Sequence, residues 1–133
     1  MPEVQYIKNV TVAKSFSVEP GVMTKQLTGM PDHNPDECII RTINWNGAVD
    51  DTFMYLIWCN LTNDFIGSFC GGNIAPHFPQ SRIWLTGPVP NYLEFKIYVL
   101  RDGTDQPEMY GSLDGGLAIT MEFAKYKRSR DHA

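Results

Sequence analysis

Tyr92-Leu93-Glu94-Phe95-Lys96-Ile97-Tyr98-Val99-Leu100 decides the fold class. Leu93, Phe95, Ile97 and Val99 fall on one side, Tyr92, Glu94, Lys96 and Tyr98 on the other. A period of two over nine residues describes a strand with one face on a core and the other in water or on a partner. Residues 117–126 repeat the pattern, with Leu117, Ile119, Met121 and Phe123 set against Thr120, Glu122 and Lys125.

Working outward, residues 4–18 place apolar side chains at 4, 6, 10, 12, 16 and 18, with Lys8 and Lys14 interrupting the same face. This reads as one long strand with a bend, or two strands joined by a bulge. Residues 20–37 are rich in Pro, Gly, Asp and Asn and read as a long connection. Cys38–Trp45 follows as a strand with Ile39, Ile43 and Trp45 on one face, and Asn46-Gly47 is a strong hairpin signal. Phe53–Leu61 is apolar on both faces, which predicts a central strand covered twice, by the core and by a sheet, loop or second chain.

Thr62-Asn63-Asp64 turns into a strand at 65–69, and residues 71–81 form a second irregular stretch. A short strand at 82–85 precedes the one at 92. Turns are expected at 101–104 and at Asp114-Gly115-Gly116, with an edge strand at 108–113 between them. No window fits the i, i+3, i+4 helix template. About eight strands with turns roughly every ten residues predict an all-β antiparallel sandwich of jelly-roll or Greek-key topology. One domain spanning 1–126 is expected, followed by a short basic tail, 127–133.

Charge narrows the function. The 133 residues carry a net −4, yet the last nine, with Lys125, Lys127, Arg128, Arg130 and Asp131, carry +3 and the rest −7. An acidic body lacks the clustered cations that neutralise phosphates, so no nucleic-acid partner is expected. The longest apolar run, residues 53–59, is too short to span a bilayer, and Met1-Pro2-Glu3-Val4 shows no secretion signal. Cys38, Cys59 and Cys70 are an odd set without metal spacing and read as buried small hydrophobes. Sequons occur at Asn9-Val10-Thr11 and Asn60-Leu61-Thr62, and their modification is left open.

Tests for chemistry return little. His33, His77 and His132 lie in separate irregular segments, and the acidic run Asp32-His33-Asn34-Pro35-Asp36-Glu37 lacks the spacing of a calcium loop. Glu94 and Glu122 sit on polar strand faces, and no nucleophile elbow or phosphate loop is present. No catalytic, cofactor or metal residue is assigned, and a non-enzyme is expected. The aromatics say more. Trp45, Trp58, Trp84, Tyr55, Tyr92, Tyr98 and Tyr110 exceed the needs of one small core, and surface aromatics are enriched at interfaces and sugar sites. Phe78, His77, Trp84, Tyr92 and Tyr98 are therefore the candidate interface or ligand contacts.

The strand order, the closing Tyr110-Gly111-Ser112-Leu113 and Leu117–Tyr126 pair and the compact size resemble small viral jelly-roll domains, the class of fibre heads, capsid protrusions and capsid-decorating proteins. The resemblance lies in strand pattern, and no motif matches position by position. It implies a non-enzymatic module of a virus or phage, located in the virion or host cytoplasm or in a secreted form. Such a module works as a homo-oligomer, trimer or dimer, and binds capsid proteins, a receptor or a glycan. The absence of a strongly basic N-terminal arm departs from genome-packaging coats. Two other readings compete: a lectin-like sandwich in which Trp84, Tyr92 or Tyr98 stacks on a sugar, and a small-ligand β-barrel with an interior cavity.

Overall fold

The computed structural model describes residues 3–47, 54–70, 81–100, 103, 105–109 and 113–127. They form nine strands: β1 Val4–Glu19, β2 Val22–Gln26, β3 Glu37–Gly47, β4 Met54–Cys59, β5 Asp64–Cys70, β6 Ser81–Trp84, β7 Tyr92–Leu100, β8 Glu108–Met109 and β9 Leu113–Tyr126. Two antiparallel sheets make a sandwich. One has the order β1-β9-β3-β6, the other β2-β7-β4-β5. The short β8 pairs with β7 at Tyr98 and Val99, on the edge that β2 occupies at residues 92–96.

The alternation in β7 and β9 is what closes the sandwich. Leu93, Phe95, Ile97 and Val99 from one sheet and Leu117, Ile119, Met121 and Phe123 from the other are all buried. Tyr55, Ile57 and Cys59 of β4 and Val10, Val12 and Phe16 of β1 complete the core with residues of β3. Each large apolar side chain so enclosed contributes about 1.5–3 kcal/mol of transfer free energy.

Strict alternation fails where a strand carries an extra residue. In β3 the ladder to β9 slips between Ile40 and Thr42, so Arg41 bulges outward and donates to Glu122 at 2.9 Å. Cys38, Ile40, Ile43 and Trp45 then share the inner face, and Ile39, expected beside Ile43, lies on the other. In β5 the slip lies opposite Ile57 and Trp58, with Ile66 as the extra residue. Phe69 is consequently buried and Phe65 faces out.

In β1 the ladder slips twice, between Val4 and Tyr6 and between Phe16 and Glu19, where Val18 has φ 52° and is exposed. The long N-terminal run is thus one strand with an irregularity near each end. Lys8 and Lys14 do point inward, but at the margin where β1 and β2 leave the sandwich open. There Lys14 Nζ donates to Val22 O (3.2 Å), pairs with Glu19 (3.4 Å) and lies over the Phe16 ring.

Four expectations need correction. Residues 20–37 are not all connection, because Val22–Gln26 forms β2. Asn46-Gly47 makes no hairpin; both residues pair with β9, at Gly116 and Gly115, and β3 and β4 belong to different sheets. Asp114-Gly115-Gly116 is no turn but the start of β9, which begins at Leu113. Of the edge strand expected at 108–113, Glu108–Met109 forms β8 beside β7, residues 110–112 lie outside the described residues, and Leu113 belongs to β9 itself rather than to a strand paired with it. Turns at 46–47 and 114–116 are persuasive in the sequence because Gly readily takes positive φ, whereas at 116 it serves a regular ladder.

The acidic run 32–37 ties this framework at one end. Asp32 accepts from Tyr6 OH (3.1 Å), Lys125 Nζ (2.9 Å) and Asn34 N (2.8 Å), and Asp36 accepts from Tyr126 N (2.8 Å). The Lys125 hydrogen bond, with further help from the Asn34 amide, holds the Asp32 carboxyl below its usual range, while burial beside Asp32 pushes the Tyr6 phenol up to about 12. A depressed carboxyl contributes stability that is present above its unfolded value and lost as pH falls through its folded value. Replacing Asp32 by Asn is expected to flatten the fall in urea midpoint between pH 6 and the acid side of the carboxylate range. An unchanged acid profile would dismiss the role of this carboxylate.

Candidate binding surfaces

The outer face of the β2-β7-β4-β5 sheet is the more apolar of the two. Along β4, Met54, Leu56 and Trp58 point away from the core, Met54 exposed and the other two half-buried. Tyr98 of β7 stands beside Leu56, and Phe65 of β5 beside Trp58. The Phe65 and Tyr98 rings meet edge to face at 5.4 Å, yet Phe65 remains 40% exposed. Met109 of β8, opposite Tyr98, is also exposed. The nearby charges cancel: Lys96 Nζ lies 4.8 Å from the Trp58 ring centre and 3.7 Å from Glu94.

Register on this face is secured from the side. Asn60, just after β4, donates through Nδ2 to Tyr92 O (3.0 Å) and accepts at Oδ1 from Glu94 N (2.9 Å). The amide nitrogen of the second sequon is therefore already engaged with the β7 backbone, whereas Asn9 of the first lies exposed on β1.

A second, polar arrangement occupies the far edge of the other sheet. On the four-residue β6, Ile83 turns inward while Arg82 and Trp84 face out, Arg82 60% and Trp84 65% exposed. The ladder places Trp84 opposite Glu37 and Arg82 opposite Ile39. Glu37 is fully buried. Tyr126 OH donates to its Oε1, and Arg82 Nε lies 3.7 Å from Oε2, which has no hydrogen-bond partner among the described residues. The hydrogen bond to Glu37 raises the Tyr126 phenol above its ordinary value.

Of the five residues singled out from the sequence, the three that are described do not form one site. Trp84 belongs to one sheet; Tyr92 (57% exposed) and Tyr98 lie on the outer face of the other. His77 and Phe78 lie outside the described residues. Phe65, Met54 and Met109 on one surface, and Arg82 with Glu37 on the other, were not anticipated. A bulge hides Phe65 from a period-two reading, and Glu37 shows no sequence signal of burial, since acidic residues are almost never enclosed.

Two enclosed thiols complete the inventory. Burial pushes Cys38 up to about 12 and Cys59 up to about 11, with each aimed into the core. Thiolate is the reactive form, so both are inert at neutral pH. Ellman's reagent is expected to label no more than one of the three thiols in the native protein and all three in denaturant. Rapid labelling of two or more would show that the sandwich opens.

Among the described residues no three His, Cys, Asp or Glu side chains converge to hold a metal ion, and no helix is long and apolar enough to cross a membrane. No protein-family model matches the chain, and no curated protein matches it in sequence. The class is therefore defined by architecture: a two-sheet antiparallel β-sandwich with separate apolar and polar outer surfaces.

Proposed function

We propose that this chain is a non-enzymatic assembly or attachment module that associates with copies of itself through the outer face of the β2-β7-β4-β5 sheet. The observation that carries the reading is the contiguous apolar surface of Met54, Leu56, Trp58, Phe65, Tyr98 and Met109, centred on an interior strand. Exposed apolar groups at the middle of a sheet mark interaction sites more often than scattered ones do. Copies that each carry a net −4 repel one another, and the internally neutralised Glu94–Lys96 pair keeps this face free of that repulsion.

The strand orders β1-β9-β3-β6 and β2-β7-β4-β5 support a jelly-roll path, since the chain crosses repeatedly between the two sheets and leaves consecutive strands in one sheet only at β4-β5 and β7-β8. That path favours the viral or phage class of capsid-decorating and fibre-head modules, acting in a virion or host cytoplasm. Light scattering at micromolar concentration tests the reading. A dimer or trimer is expected, and Phe65→Asp with Met54→Lys should weaken it at least about tenfold, a loss of about 1.4 kcal/mol. A mass of one chain for the unaltered protein would overturn the proposal.

A further inference from the structure

We propose that the outer face of β6 is a binding site for a pyranose bearing a carboxylate, with Trp84 under the sugar ring and Arg82 on the acid group. This site stands on the opposite sheet from the self-association surface and does not depend on it.

Three observations converge. Trp84 and Arg82 are two residues apart on one face of a strand, so their attachment points lie about 7 Å apart, roughly the width of one sugar ring. Both side chains are well exposed, on a strand whose other edge pairs with nothing among the described residues. The third observation is Glu37. A carboxylate completely withdrawn from water is costly unless compensated, and its compensation here is unusual. Tyr126 OH fixes one oxygen, and the other, among the described residues, faces the Nε side of Arg82 at a separation suited to an ion pair but too long for a hydrogen bond.

The guanidinium is thereby restrained at its Nε edge, on a side chain that stays 60% exposed and carries two terminal amino groups. Those two groups form the fork that recognises a carboxylate in bidentate fashion. An indole beside them offers a flat apolar surface to the C–H face of a sugar. Glu37 is a positioning residue in this scheme; it touches Arg82, not the ligand. A mere staple between β3 and β6 would satisfy the ion pair equally well, but it would leave no reason for an exposed Trp opposite the buried acid.

Sialic acid and hexuronic acids share the required chemistry, and the test separates them. Calorimetry or saturation-transfer NMR would compare 3′-sialyllactose, a glucuronate disaccharide and lactose on the intact chain. At least one acidic sugar is expected to bind about tenfold or more tighter than lactose. Arg82→Gln should erase that preference while leaving the weak lactose signal, Arg82→Lys should recover only part of it, and Trp84→Ala should lower binding of all three. Glu37→Gln, judged folded by its circular dichroism, should reduce the preference without altering lactose binding. Equal affinity for acidic and neutral sugars, or no binding of any at millimolar concentration, would overturn the proposal. Neither result bears on the oligomer mass, so the two proposals fail separately.

Discussion

Replacing Phe69 by Ala is expected to destabilise the protein by about 3–5 kcal/mol, toward the upper end of that range. Phe69 lies between two other buried rings, stacked on Trp45 at 5.3 Å and on Tyr55 at 5.1 Å. It joins β5 to β3 across the sandwich and to β4 within its own sheet, so truncation opens a cavity and removes both ring contacts. For a domain of this size the melting temperature should fall by about 10–20 °C. Phe65→Ala provides the control. The same residue type four positions earlier faces outward, and its loss should cost no more than about 1 kcal/mol in the isolated chain. Thermal and urea unfolding of the two variants decide the matter. Equal losses would mean that the β5 bulge does not divide the strand into inner and outer parts as described.

The second large effect is expected at Gly21. A Cβ there would stand 2.8 Å from Ile97 Cβ and 3.0 Å from Ile97 Cγ1, with Leu113 Cδ2 at 3.6 Å. Ile97 is β-branched and fully buried, so it cannot swing aside. Gly21 O also accepts from Ile97 N at 2.7 Å, which fixes the approach of the β1–β2 connection to β7. Gly21→Val should therefore cost about 2–3 kcal/mol by overpacking and displacement of that hydrogen bond. Gly87, where a Cβ would meet nothing within 4 Å, should tolerate Val within about 0.5 kcal/mol. Urea unfolding of both variants checks the contrast, and full tolerance of Gly21→Val would imply that this crossover is loosely packed.

These two positions show what can be read from the sequence and what cannot. The inner faces of β7 and β9 are legible because each strand keeps its period from end to end. Phe69 is legible as a strand residue, but its burial depends on Ile66 occupying an extra place in the ladder, and no local composition announces a bulge. Gly21 reads with Pro20 as a strand terminator, which it is. Its close contact with Ile97 is a property of a residue seventy-six positions away.

β2 escapes the sequence for a related reason: Val22–Gln26 presents only Met23 to the core, too few buried positions to show a period. The candidate surfaces are half legible. Trp84 and Tyr98 stand out as aromatics beyond the needs of the core. Arg82 and Glu37 acquire meaning only when the ladder sets β6 against β3.

The inward lysines of β1 carry a last consequence. β1 is sixteen residues long and pairs on one side only, with β9, so its other edge is the longest stretch of free strand among the described residues. Such an edge invites a neighbour's strand and, repeated, a growing fibre. Any strand added there would lie against Lys8 and Lys14 at the open margin and would compete with the Lys14 contacts to Val22 and Glu19. Charges aimed inward at a sheet edge are a recognised barrier to that addition. The self-association proposed above would thereby be directed away from strand-by-strand polymerisation and toward the broad faces, where an assembly can close on itself.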